Sequence, residues 1–229
     1  MSELTVDEFA DMFVRRAERE PLPLDPANTV LLLIDMQKCI LPDHFWEFAR
    51  SRGIPEADCA EAIGRIEQDC QATVAAGTRV LQAARAAGIR PIHVRIQELL
   101  EDGADVGLSH RRKNFKVLPG SEAAQFLPGV EPIAGEIVLD KSCSGAVLGT
   151  NLDRILRNLG IENVVTIGFY TDQCVSSTVR DLSDSGYSVG IVADACGSIT
   201  PKHHETALWH LRNVYAAIES SEEFLARLG

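Results

Sequence analysis

Six consecutive residues, 29–34 (TVLLLI), are apolar or β-branched without a break, and the run stops at Asp35. A strand with water on one face alternates polar and apolar residues. A strand apolar on both faces has to be covered on both, which is the mark of a central parallel strand between layers of helices. The signature recurs at 88–95 (GIRPIHVR), 136–139 (EIVL), 163–168 (NVVTIG), 188–193 (SVGIVA) and 214–218 (VYAAI). In the second run the proline sits near the start, where a missing N–H is tolerated.

Helical patterns lie between these runs. Residues 60–87 are rich in Ala, Arg, Glu and Gln, with an expected break near Gly77. Residues 147–158 carry Val147, Leu148, Leu152, Ile155 and Leu156 at helical spacing, and Gly160 closes them. Residues 172–185 follow with Thr171 as N-cap and Gly186 as stop, and 202–212 join the last two strands. The alternation predicts an α/β, three-layer Rossmann-like fold: a six-stranded, mostly parallel sheet with helices on both faces. Residues 1–28 read as an N-terminal helical arm (6–20) with a stiff PLPLDP linker, and 29–229 read as the catalytic-size domain. Segment 97–131 is long and irregular with a basic centre, 110–113, as expected of a lid or a subunit contact.

With 22 Lys plus Arg against 33 Asp plus Glu, the net charge is −11, which argues against nucleic-acid and anionic-membrane partners. The six cysteines form no CxxC pair, so a disulfide framework or structural zinc site is not expected. The first twenty residues are acidic throughout and lack an apolar stretch, so they do not read as a signal peptide. The expectation is a soluble cytoplasmic protein with reduced thiols.

Three polar residues fall at strand ends: Asp35 after the first, Lys141 after the third and Cys174 just beyond the fourth. In open α/β sheets the crevice at the carboxyl ends of the strands holds the ligand. A cysteine in a first helical turn has its thiolate favoured by unpaired N–H groups and the helix dipole, which makes Cys174 a candidate nucleophile. Taken singly, each has a plainer role: a buried thiol, a loop-capping carboxylate, a solvated lysine.

The chain resembles the isochorismatase-like cysteine hydrolases, a family of nicotinamidases and N-carbamoylsarcosine, biuret and ureidoacrylate amidohydrolases. The resemblance runs through LLLIDMQ (31–37), IHVR (92–95), LDK (139–141), the stretch from Gly149 to Val189, and VADACGS (192–198). It implies a catalytic triad of Cys174 as nucleophile, Asp35 as general base and Lys141 as electrostatic partner. It also implies a cis peptide at Phe169–Tyr170, with the N–H groups of Tyr170 and Cys174 as oxyanion hole. A homodimer or homotetramer is implied, and no cofactor. The chain departs from the family pattern at Lys38-Cys39-Ile40 and at Gly145-Ala146-Val147, both beside the expected pocket. Only His44 stands where nicotinamidases carry an Asp-x-His pair, so no metal is expected.

Gln37, Trp46, Tyr170 and Gln173 are the candidate substrate contacts. Arg111, Arg112 and Lys113 are positioned in sequence to meet a substrate carboxylate, although a basic loop is ordinarily solvated. The resulting expectation is a cysteine amidohydrolase that cleaves a C–N bond of a small linear amide, carbamoyl or ureido compound through a thioester and releases ammonia or an amine. The alternatives are a hydrolase of a cyclic or aryl amide, and a thiol redox or binding protein on the same fold.

Overall fold

Residues 29–34 form strand β1 (Thr29–Ile34), buried at every position. In the computed structural model, which describes residues 4–14 and 19–228, side chains alternate across this strand. Val30, Leu32 and Ile34 enter one core, and Leu31 and Leu33 enter the other. Full burial of one such side chain is worth about 1.5–3 kcal/mol, so a single polar substitution within β1 would expose a cost on whichever face it reached.

Five more strands flank it: β2 (Arg90–Ile96), β3 (Ile137–Lys141), β4 (Asn163–Phe169), β5 (Ser188–Gly197) and β6 (Ala217–Glu219). The sheet order is β3-β2-β1-β4-β5-β6, and every pairing is parallel. The chain builds outward from β1 in one direction and then, from β4, in the other. The crevice therefore opens at the ends of β1 and β4. Register pairs Ile34 with Val94 and with Gly168, and Ile96 with Lys141, so the carboxyl ends of four strands meet there.

The helices are α1 (Val6–Val14), α2 (Asp43–Ser51), α3 (Glu56–Ala86), α4 (Leu108–Arg112), α5 (Ala146–Gly149), α6 (Leu152–Asn158), α7 (Ser176–Asp184), α8 (Pro201–Leu211) and α9 (Ser221–Leu228). Leu152, Leu156, Val179 and Leu182 of α6 and α7 pack with the even-numbered face of β1. Val80, Leu81 and Ala84 of α3 and Phe224 of α9 pack with the odd-numbered face.

Several local expectations change. Helix α3 runs through Gly77 unbroken; a Cβ there would lie 2.7 Å from the Met36 methyl, so the glycine serves close packing. The single helix expected over 147–158 is two, α5 and α6. Thr150 ends the first by donating to the Ala146 carbonyl (2.8 Å) and starts the second by accepting from Leu152 N–H (2.9 Å). The last strand begins at Ala217 rather than 214, after Asn213 at φ +63°. Segment 97–131 is less irregular than expected: it contains α4, a 3-10 turn at Glu122–Ala124, and a bridge from Phe126 to Gln37. Helix α1 covers 6–14 of the expected 6–20; residues 15–18 lie outside the described ones, and Arg19 donates to the carbonyls of Asn213 (3.1 Å) and Val214 (2.8 Å). Among the described residues no helix is long and apolar enough to cross a membrane.

One ion cluster ties the start of β3 to α3 and β2. Glu136 accepts two hydrogen bonds from Arg85 (2.8 Å each), one from Ile133 N–H (2.9 Å), and pairs with His93 Nε2 (3.0 Å). Burial alone would raise its carboxyl, but these donors win and hold it near 2 against an ordinary 4.5. A depressed carboxylate contributes stability that is present above its unfolded pKa and lost as pH falls through the folded one. Glu136→Gln is therefore expected to cost roughly 2 kcal/mol at pH 7, and to flatten the stability loss between pH 4.5 and about 2. Urea melts at both ends of that window check it; parallel curves for both proteins would refute it.

Candidate active site

Asp35 ends β1 in the left-handed region (φ +52°), a conformation that aspartate tolerates better than most residues. Its N–H still reaches the Val94 carbonyl (2.8 Å), while its own carbonyl accepts from Gln37 N–H (2.9 Å). The chain turns sharply off the sheet, and the Asp35 side chain is left buried at the crevice floor.

Lys141 ends β3 two strands away, and its side chain is fully buried. A buried lysine keeps its charge only with a partner. Nζ donates to Asp35 Oδ2 (2.7 Å) and to the Cys143 carbonyl (3.1 Å). Burial would discharge Lys141, but the charge of Asp35, first among the opposing effects, outweighs it, and its pKa moves up. Burial raises the Asp35 carboxyl, and Lys141 opposes it. The pair is a carboxylate bound to an ammonium, with the carboxylate made a better proton acceptor than one in water.

Cys174 enters from β4. A Cβ at Gly168 (φ +129°) would collide with the Ile34 carbonyl oxygen, so only glycine lets the end of β4 close on the end of β1. The Phe169–Tyr170 bond that follows is cis, as the resemblance implies. Cys174 then lies in a π turn, Thr171–Val175, ahead of α7. This corrects the expected cap: Tyr170 occupies that position, and the Thr171 hydroxyl pairs with His204 Nδ1 (2.8 Å) instead. The thiolate is also less favoured than the first-turn reading expects. Burial and the Asp35 charge push its pKa up. Oδ1 of Asp35, the oxygen that Lys141 does not use, has no hydrogen-bond partner within bonding distance among the described residues, and the carboxyl as a whole interacts with that thiol.

Asp35 and Cys174 line one cavity of about 170 Å³. Ile40, Ile96, Phe169 and Ile199 give it apolar walls; Tyr170 and Gln173, two of the four expected contacts, also line it. Gln37 does not. It is fully buried, and its amide accepts from Ile96 N–H (2.7 Å) and donates to the Ile96 carbonyl (2.9 Å), which locks the end of β2 beside Asp35. Trp46 is half-buried in α2, and the cavity residue of that helix is His44. His110, Lys113 and Phe115, from the irregular segment, complete the lining together with Cys39. Only the basic run around Lys113 signalled them in sequence. A larger cavity of about 440 Å³ lies across Phe169 and Tyr170, and none of Asp35, Lys141 and Cys174 lines it.

The chain is similar to known proteins over nearly its whole length. The ureidoacrylate amidohydrolase RutB of Methylobacterium radiotolerans is 27% identical over 227 residues, covering 93% of this chain and 84% of that one. The crystal structure of an isochorismatase family protein from Desulfovibrio vulgaris superposes with a TM-score of 0.69 at 27% identity, covering 88% of this chain and 98% of that one. N-carbamoylsarcosine amidase from Thermoplasma acidophilum superposes with a TM-score of 0.61 at 25% identity, over 85% and 97%. The sequence model of the isochorismatase domain matches residues 29–223, and the chain belongs to the isochorismatase family.

Proposed function

We propose that the chain is a cysteine-dependent amidohydrolase of small linear amides, carbamoyl or ureido compounds. Its place in the family, beside amidohydrolase relatives, makes it a hydrolase of carbon–nitrogen bonds. The finer reading rests on one observation: a single cavity holds the thiol of Cys174 and the carboxylate of a buried Asp35–Lys141 ion pair.

Asp35 takes the thiol proton as sulfur attacks the substrate carbonyl, forming the C–S bond and a tetrahedral oxyanion. The N–H groups of Tyr170 and Cys174 receive that oxyanion. Protonated Asp35 passes its proton to the leaving nitrogen, the C–N bond breaks, and ammonia or an amine departs from a thioester. Water, deprotonated by the regenerated carboxylate, cleaves the thioester and returns the thiol. Lys141 stays protonated throughout. It steadies the negative charge as it moves between Asp35 and Cys174, because burial leaves no solvent to do so. The substrate class draws support from relatives named for ureidoacrylate and N-carbamoylsarcosine.

An ammonia-release panel over linear amides, ureides, cyclic amides and aryl amides tests the reading, with acid quench and mass spectrometry to trap an acyl adduct on the Cys174 peptide. Linear substrates should turn over fastest and leave the acyl mass on that peptide. Release confined to cyclic or aryl amides, or turnover with no dependence on this thiol, would sink it.

A further inference from the structure

The thiol of Cys174 and the N–H groups assigned to the oxyanion sit on one short piece of chain, 170–175. That piece has little support of its own. It is a π turn in which the Tyr170 carbonyl accepts from Gln173 N–H (2.9 Å) and Val175 N–H (3.2 Å), and no side chain caps its start. Isolated π turns are rare and recur at functional sites. Their order has to come from neighbouring elements.

Two side chains from the stretch after β5 supply it. Ser198 Oγ donates to Asp172 Oδ1 (2.7 Å) and accepts from Asp172 N–H (3.4 Å), but Asp172 is exposed to water. The second link is sheltered. Thr171 is fully buried, and its hydroxyl pairs with Nδ1 of the half-buried His204 at 2.8 Å. Burial lowers the pKa of His204 against the opposing charges of Glu205, Asp172 and Asp194, so the imidazole is neutral at pH 7. His204 is itself fixed. Pro201 opens α8, the Thr200 hydroxyl caps it by accepting from His203 N–H (3.2 Å), and the Thr200 carbonyl accepts from His204 N–H (3.1 Å). At the other end of the turn, the Cys174 carbonyl accepts from the Thr178 hydroxyl (2.7 Å), which in turn accepts from Ala146 N–H (3.0 Å). The Cys174 end is therefore held without His204. The Tyr170–Thr171 end has the imidazole as its sheltered side-chain hydrogen bond.

We propose that His204 is a positioning residue for the reaction: through Thr171 it holds the nucleophile turn so that the Cys174 thiol meets Asp35 and the Tyr170 N–H meets the oxyanion. His204 does not line the catalytic cavity. It lines the larger one, which shares Phe169 and Tyr170 with it. Misplacing a reacting group by about 1 Å from such a distance can cost on the order of 100-fold in rate. The role rests on the hydrolytic reading above.

Asparagine puts an amide where the Nδ1 of histidine stands, and leucine fills similar space with no polar atom. His204→Leu and His204→Asn are compared with the native protein on the fastest substrate of the ammonia-release panel, each well below its own melting temperature so that folded protein is measured. The leucine variant should lose about tenfold or more in kcat with KM within about twofold, and the asparagine variant should return to within about threefold of native. Thr171→Val should match His204→Leu, and the double variant should be no slower than either single one, because all three break the same link. If the leucine variant does not fold, Thr171→Val carries the test, with Thr171→Ser as its rescue. The rate at which iodoacetamide labels Cys174, read on its peptide by mass spectrometry, should fall with kcat, since alkylation also needs Asp35 to take the thiol proton. Native kcat in the leucine variant, asparagine as slow as leucine, losses that add in the double variant, or Cys174 labelled at the native rate or faster overturns the proposal. A native protein that released no ammonia from any member of the panel would count against the hydrolytic reading, and the labelling rates would still decide the positioning role.

Discussion

Replacing Cys174 with alanine is expected to lower ammonia release by on the order of 10⁴-fold or more, because the covalent step has no substitute nucleophile. Cys39 lines the same cavity, but burial and the Asp35 charge push its thiol well above the ordinary range. Lys141 is held protonated by Asp35 and has no lone pair to offer. Serine should do little better than alanine: its hydroxyl is far less acidic than a thiol and a much weaker nucleophile at neutral pH. The fold should survive both changes, since the side chain is small and Asp35 and Lys141 hold each other in place without it. Thermal melts within a few degrees of the native protein, together with loss of turnover on every substrate of the panel, are the expected pair of results. A Cys174→Ala protein that kept even a few per cent of the native kcat would rule out the thioester route.

The protonated thiol changes what this prediction means. A helix N-terminus favours the thiolate of Cys174, which is how the residue reads in sequence. In the structure the π turn Thr171–Val175 comes before α7, and desolvation dominates. The nucleophile is then made only when Asp35 accepts a proton, so Asp35 and Cys174 act as one unit rather than two additive contributors.

Much of this arrangement is legible before any coordinates, for a physical reason. A strand buried on both faces writes itself as an unbroken apolar run, and the first polar residue after it marks the crevice. TVLLLI followed by Asp35 and EIVL followed by Asp140-Lys141 are both readable this way. The part of the cavity lining that segment 97–131 supplies is not readable. Its order comes from long-range bonds such as Glu98 to Val117, and no local periodicity encodes them. Gln37 misleads for a related reason: an amide beside a catalytic strand end suits a substrate or a backbone equally, and here both of its ends go to Ile96. Gly77 reads as a helix breaker, but a helix buried against Met36 needs the missing side chain more than it suffers from the added freedom. Helix α9 does carry a local signal. Ser220 and Glu223 exchange hydrogen bonds in a capping box, with Ser220 N–H to Glu223 at 2.7 Å and Glu223 N–H to Ser220 at 3.2 Å.

Lys141→Met should be the most destabilising single change at the site, as well as inactivating. It removes one member of an ion pair whose side chains are 0% and 3% exposed, and leaves the Asp35 carboxylate buried without its cation. Breaking such a pair costs about 3–5 kcal/mol, whereas replacing both charges by neutral groups of similar shape is close to neutral. The double variant Asp35→Asn/Lys141→Met should therefore recover most of the stability that Lys141→Met loses, with no recovery of turnover. The pH dependence separates this account from simple loss of packing. Lys141 has a folded pKa above its ordinary 10.5, so its contribution is fully present at neutral pH and is lost only as pH rises past that value. Asp35 in the Lys141→Met protein loses the cation that opposed burial, so its pKa rises further and the carboxyl protonates more readily in acid. The deficit of that variant against the native protein should accordingly be largest at pH 8 and shrink by pH 5, read from urea midpoints at each pH. A deficit that stays constant across that range, or a double variant no more stable than Lys141→Met, would mean that the lysine supports the fold by its methylene stem alone. The electrostatic role assigned to it in the reaction would then lose its footing.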